Sequence, residues 1–82
     1  MRIDKFLKDA RIIKRRTVAK QACDTGRVLK NEKTAKAGDE VAIGDVLTIR
    51  FGDRVIRFRV DSLLPSPKKE QAQEMYTILS QE

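Results

Sequence analysis

The sequence predicts an α+β fold: two N-terminal helices packed on a small, mostly antiparallel sheet, with a short C-terminal helix. Three observations carry that reading. Apolar residues recur at helical spacing between Ile3 and Cys23, the pattern switches to strand-like alternation after Gly26, and Ser66-Pro67 opens a last stretch of helical spacing. With 82 residues there is room for one small core. Residues 1–64 read as the domain and residues 65–82 as a helical tail.

Ile3, Phe6, Leu7 and Ala10 share one face of the first predicted helix, and Arg2, Lys5 and Lys8 occupy roughly the opposite arc. Ile12 and Ile13 carry apolar content into an elbow that buries them where the next helix folds back. Thr17 is the candidate N-cap of the second helix and Gly26 the residue just past its end. Val18, Ala19, Ala22 and Cys23 form its small-residue face, which allows close helix approach.

Val28-Leu29 and Thr34-Ala35 then flank Lys30-Asn31-Glu32-Lys33 as a short hairpin with Asn31 entering its turn. Gly38-Asp39 and Gly44-Asp45 mark turns, and the second leads into the strand Val46-Leu47-Thr48-Ile49. Leu47, Ile49 and Phe51 alternate, as do Ile56, Phe58 and Val60. The two-residue loop Gly52-Asp53 between them favours a type II′ turn and places 49 opposite 56 and 47 opposite 58. Both apolar rows then share one face, and Phe6, Phe51 and Phe58 all fall on core faces. The other face carries Arg50, Arg57 and Arg59, either a basic strip for a polyanionic partner or a solvated surface. In the tail, Ser66 reads as an N-cap, Pro67 as the first helical residue, and Ala72, Met75, Tyr76 and Leu79 as one helical face.

Eighteen basic against twelve acidic residues give a net charge of +6, unevenly spread. Residues 1–36 hold twelve basic and four acidic side chains, a net of +8; residues 37–82 hold six and eight, a net of −2. Such a segregated positive half suits a polyanion, whose condensed counterions are released on binding. The absence of His excludes a conventional catalytic triad or a Cys-His zinc site, and lone Cys23 reads as a core residue. Neither enzymatic activity, a cofactor nor a metal is expected. No apolar run has the length of a membrane span or the form of a signal peptide, so a cytoplasmic location is expected; the expected state is a monomer.

The candidate RNA-binding residues are Arg2 and Lys5 on the first helix, Arg11, Lys14, Arg15 and Arg16 in the elbow, and Lys20 on the second helix. Lys14-Arg15-Arg16 alone is weak, since about one basic triplet is expected by chance at this composition; its placement between two amphipathic helices gives it weight. A helix-turn-helix DNA binder is the rival. Its recognition helix would offer only Lys20, Gln21 and Asp24, a thin set for reading bases in a major groove.

Arg2-Ile3-Asp4-Lys5-Phe6-Leu7, Arg15-Arg16-Thr17-Val18-Ala19-Lys20, Gly26-Arg27-Val28 and Gly44-Asp45 resemble the S-four RNA-binding domain over about residues 1–50. Asn31-Glu32 stands where that domain often has Asn-Gly, and Cys23 where a larger apolar residue is common. The resemblance implies the S-four (alpha-L) fold. A free-standing domain of this kind with the tail Met75-Tyr76-Thr77-Ile78-Leu79 is similar to the small ribosome-associated quality-control family related to the fifteen-kilodalton heat-shock proteins.

That similarity implies binding to obstructed 50S subunits through 23S rRNA and peptidyl-tRNA, and support for alanine tailing by RqcH on the same particle. It makes Arg2 and Arg16 the leading rRNA contacts, followed by Lys5, Arg15 and Lys20. Asp4 either favours the positive end of the first helix or holds one of the arginines in place. The alternatives are an RNA-targeting accessory of an rRNA or tRNA modification enzyme and a protein-interaction module built on the acidic C-terminal half.

Overall fold

The computed structural model describes residues 1–64 and 67–81. Helices α1 (Ile3–Asp9) and α2 (Arg16–Asp24) precede strands β1 (Val28–Lys30), β2 (Lys33–Thr34), β3 (Val46–Phe51) and β4 (Arg54–Val60). A single-turn helix α3 (Lys69–Ala72), a 3-10 turn (Gln73–Met75) and strand β5 (Tyr76–Gln81) complete the chain. The strands form one antiparallel sheet in the order β2-β1-β3-β4-β5.

The hydrophobic stripe of α1 is wholly inside: Ile3, Phe6, Leu7 and Ala10 are buried with Leu47, Ile49 and Phe58 of the sheet and with Ala19 and Cys23 of α2. Phe58 sits at the centre. Its ring stacks on Phe6 at 6.4 Å between centroids and meets Tyr76 edge-on at 5.5 Å, both favoured aromatic geometries.

The β3–β4 register pairs Ile49 with Ile56 and Leu47 with Phe58, as the alternation predicts. Gly52 takes φ +57° at the first loop position while Asp53 is not left-handed, in keeping with a type II′ turn. In the β1–β2 hairpin, Asn31 (φ 51°) and Glu32 (φ 71°) are both left-handed, the pattern of a type I′ turn. Glu32 adopts it without the freedom of glycine. The Asn31 side chain helps hold the turn: its Oδ1 accepts from the Val46 amide at 3.0 Å and its Nδ2 donates to Asp45 at 3.2 Å.

Four sequence expectations are corrected. Thr17 is not the N-cap of α2; the helix begins at Arg16 behind an extended Arg15 that makes no side-chain cap. A capping hydroxyl contributes only about 1 kcal/mol, and the earlier start brings Arg16 to the Asp4 carboxylate. Val18 lies on the open side of α2, 46% exposed, and Phe51 at the end of β3 is 38% exposed instead of in the core.

The fourth correction is the extent of the C-terminal helix. It stops after one turn, and Tyr76 and Leu79, read as one helical face with Ala72 and Met75, lie in β5. Tyr76, Thr77 and Ile78 are aromatic or β-branched, and the outer edge of β4 offers them backbone partners. Ala72 and Met75 do turn inward. Ser66, the predicted N-cap, lies outside the described residues, and Pro67, the predicted first helical residue, precedes the helix; the cap of α3 is Lys68, whose amide donates to Gln71 Oε1 at 2.9 Å.

Cys23 is buried, and burial together with the carboxylates of Asp4, Asp24 and Asp39 pushes its thiol up to about 11. Since the unfolded chain gives up this proton first, the thiol subtracts stability as pH rises through the interval from 9 to 11. We predict that iodoacetamide at pH 8 alkylates Cys23 on the order of 100-fold more slowly in the native protein than in urea. Equal rates, followed by mass spectrometry, would contradict a protected thiol.

Candidate RNA interface

α1 ends by a Schellman motif: the Arg11 amide donates to Lys8 O at 3.0 Å and the Ile12 amide to Leu7 O at 3.0 Å. α2 ends the same way, with Gly26 N to Cys23 O at 3.0 Å and Arg27 N to Ala22 O at 2.9 Å. The two ends differ in the residue that turns left-handed. At α2 it is Gly26 (φ 75°); at α1 it is Arg11 (φ 60°), where a side chain costs about 1 kcal/mol. The chain therefore accepts strain to set a guanidinium at the elbow.

The centre of the basic face is a buried anion. The Asp4 side chain is 4% exposed and lies between two half-exposed arginines. Arg2 reaches it with Nε to Oδ1 at 3.2 Å and Nη2 to Oδ2 at 3.3 Å. Arg16 approaches with Nη2 to Oδ1 at 3.4 Å and Nε to Oδ2 at 3.4 Å. The Lys5 amide adds a bond to Oδ1 at 2.8 Å. Asp4 thus holds both arginines, where the sequence reading allowed for one.

Backbone bonds fix Arg2 in turn. Ile3 N donates to Asp39 O at 2.9 Å and Val41 N to Met1 O at 2.9 Å, so the segment before α1 is stitched to residues 39–41. Arg2, Arg16, Lys20 and Thr17 line one concavity of about 300 Å³ with Asp4. With Asp4 neutralising one of the three cations, this site retains a net positive charge and outward-facing N–H donors suited to phosphate oxygens.

The other candidates are placed differently. Lys5 is ion-paired with buried Asp9 one helical turn on. Arg11 and Lys14 line a second concavity of about 570 Å³ with Lys8 and Asp9. Arg15 is exposed and lines neither. Lys8 and Thr17 were not among the sequence-predicted site residues; the signal for Lys8 was its three-residue spacing to Arg11. On the sheet, Arg59 is bound to Asp61 at 2.8 Å, and Thr77 and Arg59 hold that carboxyl below its usual range. Arg57 leans on Thr48 at 3.4 Å.

A helix–elbow–helix presenting clamped cations over an antiparallel sheet defines an RNA-binding module. The chain belongs to the S4 domain family, which matches residues 1–47. Over its whole length it is 52% identical to the RQC P-site tRNA stabilizing factor of Listeria innocua, covering 89% of that protein. It is also 51% identical to the factor of the same name in Bacillus subtilis, again over the full chain and 95% of the relative. In three dimensions it is similar to the trimeric heat shock protein 15 of Vibrio cholerae, with TM-score 0.88 and 28% identity over 98% of this chain and 82% of that one.

Asp4→Asn raises the net charge, yet we expect it to weaken affinity for a structured RNA roughly tenfold by releasing Arg2 and Arg16 from their fixed positions. Tighter binding in a filter assay would show that Asp4 acts only as an opposing charge. Arg11→Gly should relieve the left-handed strain and stabilise the fold by about 0.5–1 kcal/mol, while lowering the salt-dependence slope of RNA binding by about one. A lower melting temperature would remove the strain argument.

Proposed function

We propose that this chain is a non-catalytic RNA-binding factor of ribosome-associated quality control. It binds obstructed 50S subunits in the cytoplasm as a monomer, contacting 23S rRNA and peptidyl-tRNA, and supports RqcH-dependent alanine tailing of stalled nascent chains. The observation that carries this reading is the Arg2–Asp4–Arg16 cluster, a pre-formed anion site on an S4 domain. It is supported by about 50% identity, end to end, with factors named for stabilising P-site tRNA. In this reading Arg2 and Arg16 take rRNA phosphates, Lys20 and Arg15 extend the contact, and Lys5 steadies α1 through Asp9. Arg11 and Lys14, with Lys8, supply a second phosphate contact at the elbow. Residues 1–64 carry the RNA affinity, and Tyr76–Gln81 adds the last strand of the sheet.

Testing it requires a variant that does not strand a buried charge, because removing both arginines alone would leave Asp4 uncompensated at a cost of about 3–5 kcal/mol. The triple variant Arg2→Gln, Asp4→Asn, Arg16→Gln removes the cluster together. We expect it to melt within a few degrees of the parent and to leave the 50S fraction in sucrose gradients of stressed cells, with loss of alanine tails on stalled chains. A parent chain that never co-sediments with 50S particles under translational stress would sink the proposal.

A further inference from the structure

The two faces of the sheet differ in chemistry. Leu47, Ile49 and Phe58 turn towards the helices and lie in the core with Phe6 and Ala19. Side chains alternate along a strand, so Thr48 and Arg50 of β3 and Arg57 and Arg59 of β4 point the other way. The register carries this outer face onto the start of β1: Val28 pairs with Ile49, and the Arg50 amide donates to Arg27 O at 2.9 Å, which sets Arg27 directly opposite Arg50. All four arginines are exposed.

They form a diagonal strip. Arg27 and Arg50 stand at one level of the sheet, Arg57 lies further along opposite Thr48, and Arg59 further still opposite Val46. At about 4.8 Å between strands and about 3.4 Å per residue, the strip crosses three strands and runs on the order of 17 Å. A carboxylate meets it only at the Arg59 end among the described residues, where Asp61 accepts from Arg59 Nε at 2.8 Å and from the Thr77 hydroxyl. Arg57 donates its Nε to Thr48 Oγ1 at 3.4 Å, a neutral acceptor that orients the guanidinium and leaves its charge. Arg27 and Arg50 pair with no carboxylate among the described residues. Like charges directly opposite on neighbouring strands oppose folding, so stability does not account for this pair.

We propose that this outer sheet face binds the phosphate backbone of a second RNA segment, through Arg27, Arg50 and Arg57, while the Asp4 cluster holds the first; the proposal rests on the RNA-binding reading above. Charge and side-chain type favour an RNA backbone. Each guanidinium can take a phosphate in a bidentate contact, and a strip of them suits successive phosphates along one strand. The apolar members of the face, Leu29, Val46 and Val55, are half-buried and none is aromatic. The face therefore lacks both a platform for stacking bases and the aromatic anchor that carries a protein interface. The Asp4 cluster belongs to the helix layer on the opposite side of the sheet, so the two cationic surfaces look in different directions and one molecule can join two RNA segments.

The test titrates the full chain with a short blunt RNA duplex at low salt and follows the stoichiometry by analytical ultracentrifugation. We expect about two duplexes per protein, with the methyl NMR signals of Leu29, Val46 and Val55 shifting as the second one binds. In the double variant Arg27→Gln, Arg50→Gln the second step should weaken roughly tenfold and its salt-dependence slope should fall by about two, with the first step unchanged. Because that variant removes a like-charge pair, its melting temperature should be no lower than the parent's, which separates lost binding from lost folding. The triple variant Arg2→Gln, Asp4→Asn, Arg16→Gln should lose the first step and keep the one sensed by the outer-face methyls. A single duplex per protein overturns the sheet-face proposal and leaves the Asp4 cluster standing, as does a second step that the double variant retains in full. Binding of no duplex overturns both readings. Methyl shifts on the outer face with an acidic peptide and not with RNA would assign that face to a protein partner and overturn the proposal.

Discussion

A carboxylate at the first turn of α1 determines how the basic half of this molecule is held. Asp4 is almost fully inside, and a buried anion is tolerable only when cations and hydrogen bonds surround it. Arg2 comes from the residue before α1, Arg16 from the first residue of α2, and an amide from Lys5. One side chain therefore ties the start of both helices together and orients two guanidinium groups whose outer faces stay in water. Their order is set by the fold itself, which limits the side-chain entropy left to lose at this site.

The sheet supplies the rigid support. Phe58 touches Phe6 on the helix side and Tyr76 on the neighbouring strand, which links α1 to the C-terminal segment through one aromatic cluster. The last strand thereby contributes to positioning helices that are distant in sequence. Local strain is concentrated at Arg11 and in the Asn31-Glu32 turn, where left-handed backbone is adopted without glycine. At the turn, Asn31 recovers part of the cost through its bonds to Val46 and Asp45. At Arg11 the gain is placement of charge beside Lys8 and Lys14.

Not every surface cation is equivalent. Lys5 and Arg59 are engaged with Asp9 and Asp61, and Arg57 rests on Thr48, so net charge overstates what is free to meet a polyanion. Arg2 and Arg16 share one carboxylate between two cations, while Arg27 and Arg50 have none among the described residues. The positive potential is thus uneven: two cations are fixed over Asp4, and two others sit opposite each other across β1 and β3.

By itself the sequence determined the fold class, the β3–β4 register and the Gly26 helix stop, because these follow from local periodicity and glycine chemistry. It also singled out the basic helix–elbow–helix, where the structure gathers Arg2, Arg16 and Lys20 around one concavity. Tertiary structure alone decided that Asp4 clamps both arginines, since residues 2, 4 and 16 meet only when α2 folds back on α1. It overrode the Thr17 cap for the same reason. It converted the end of the chain from helix to strand because a partner edge on β4 was available, and no local pattern announces that edge. Val18 and Phe51 were misplaced because periodicity says which residues can share a face, and not where the core runs out.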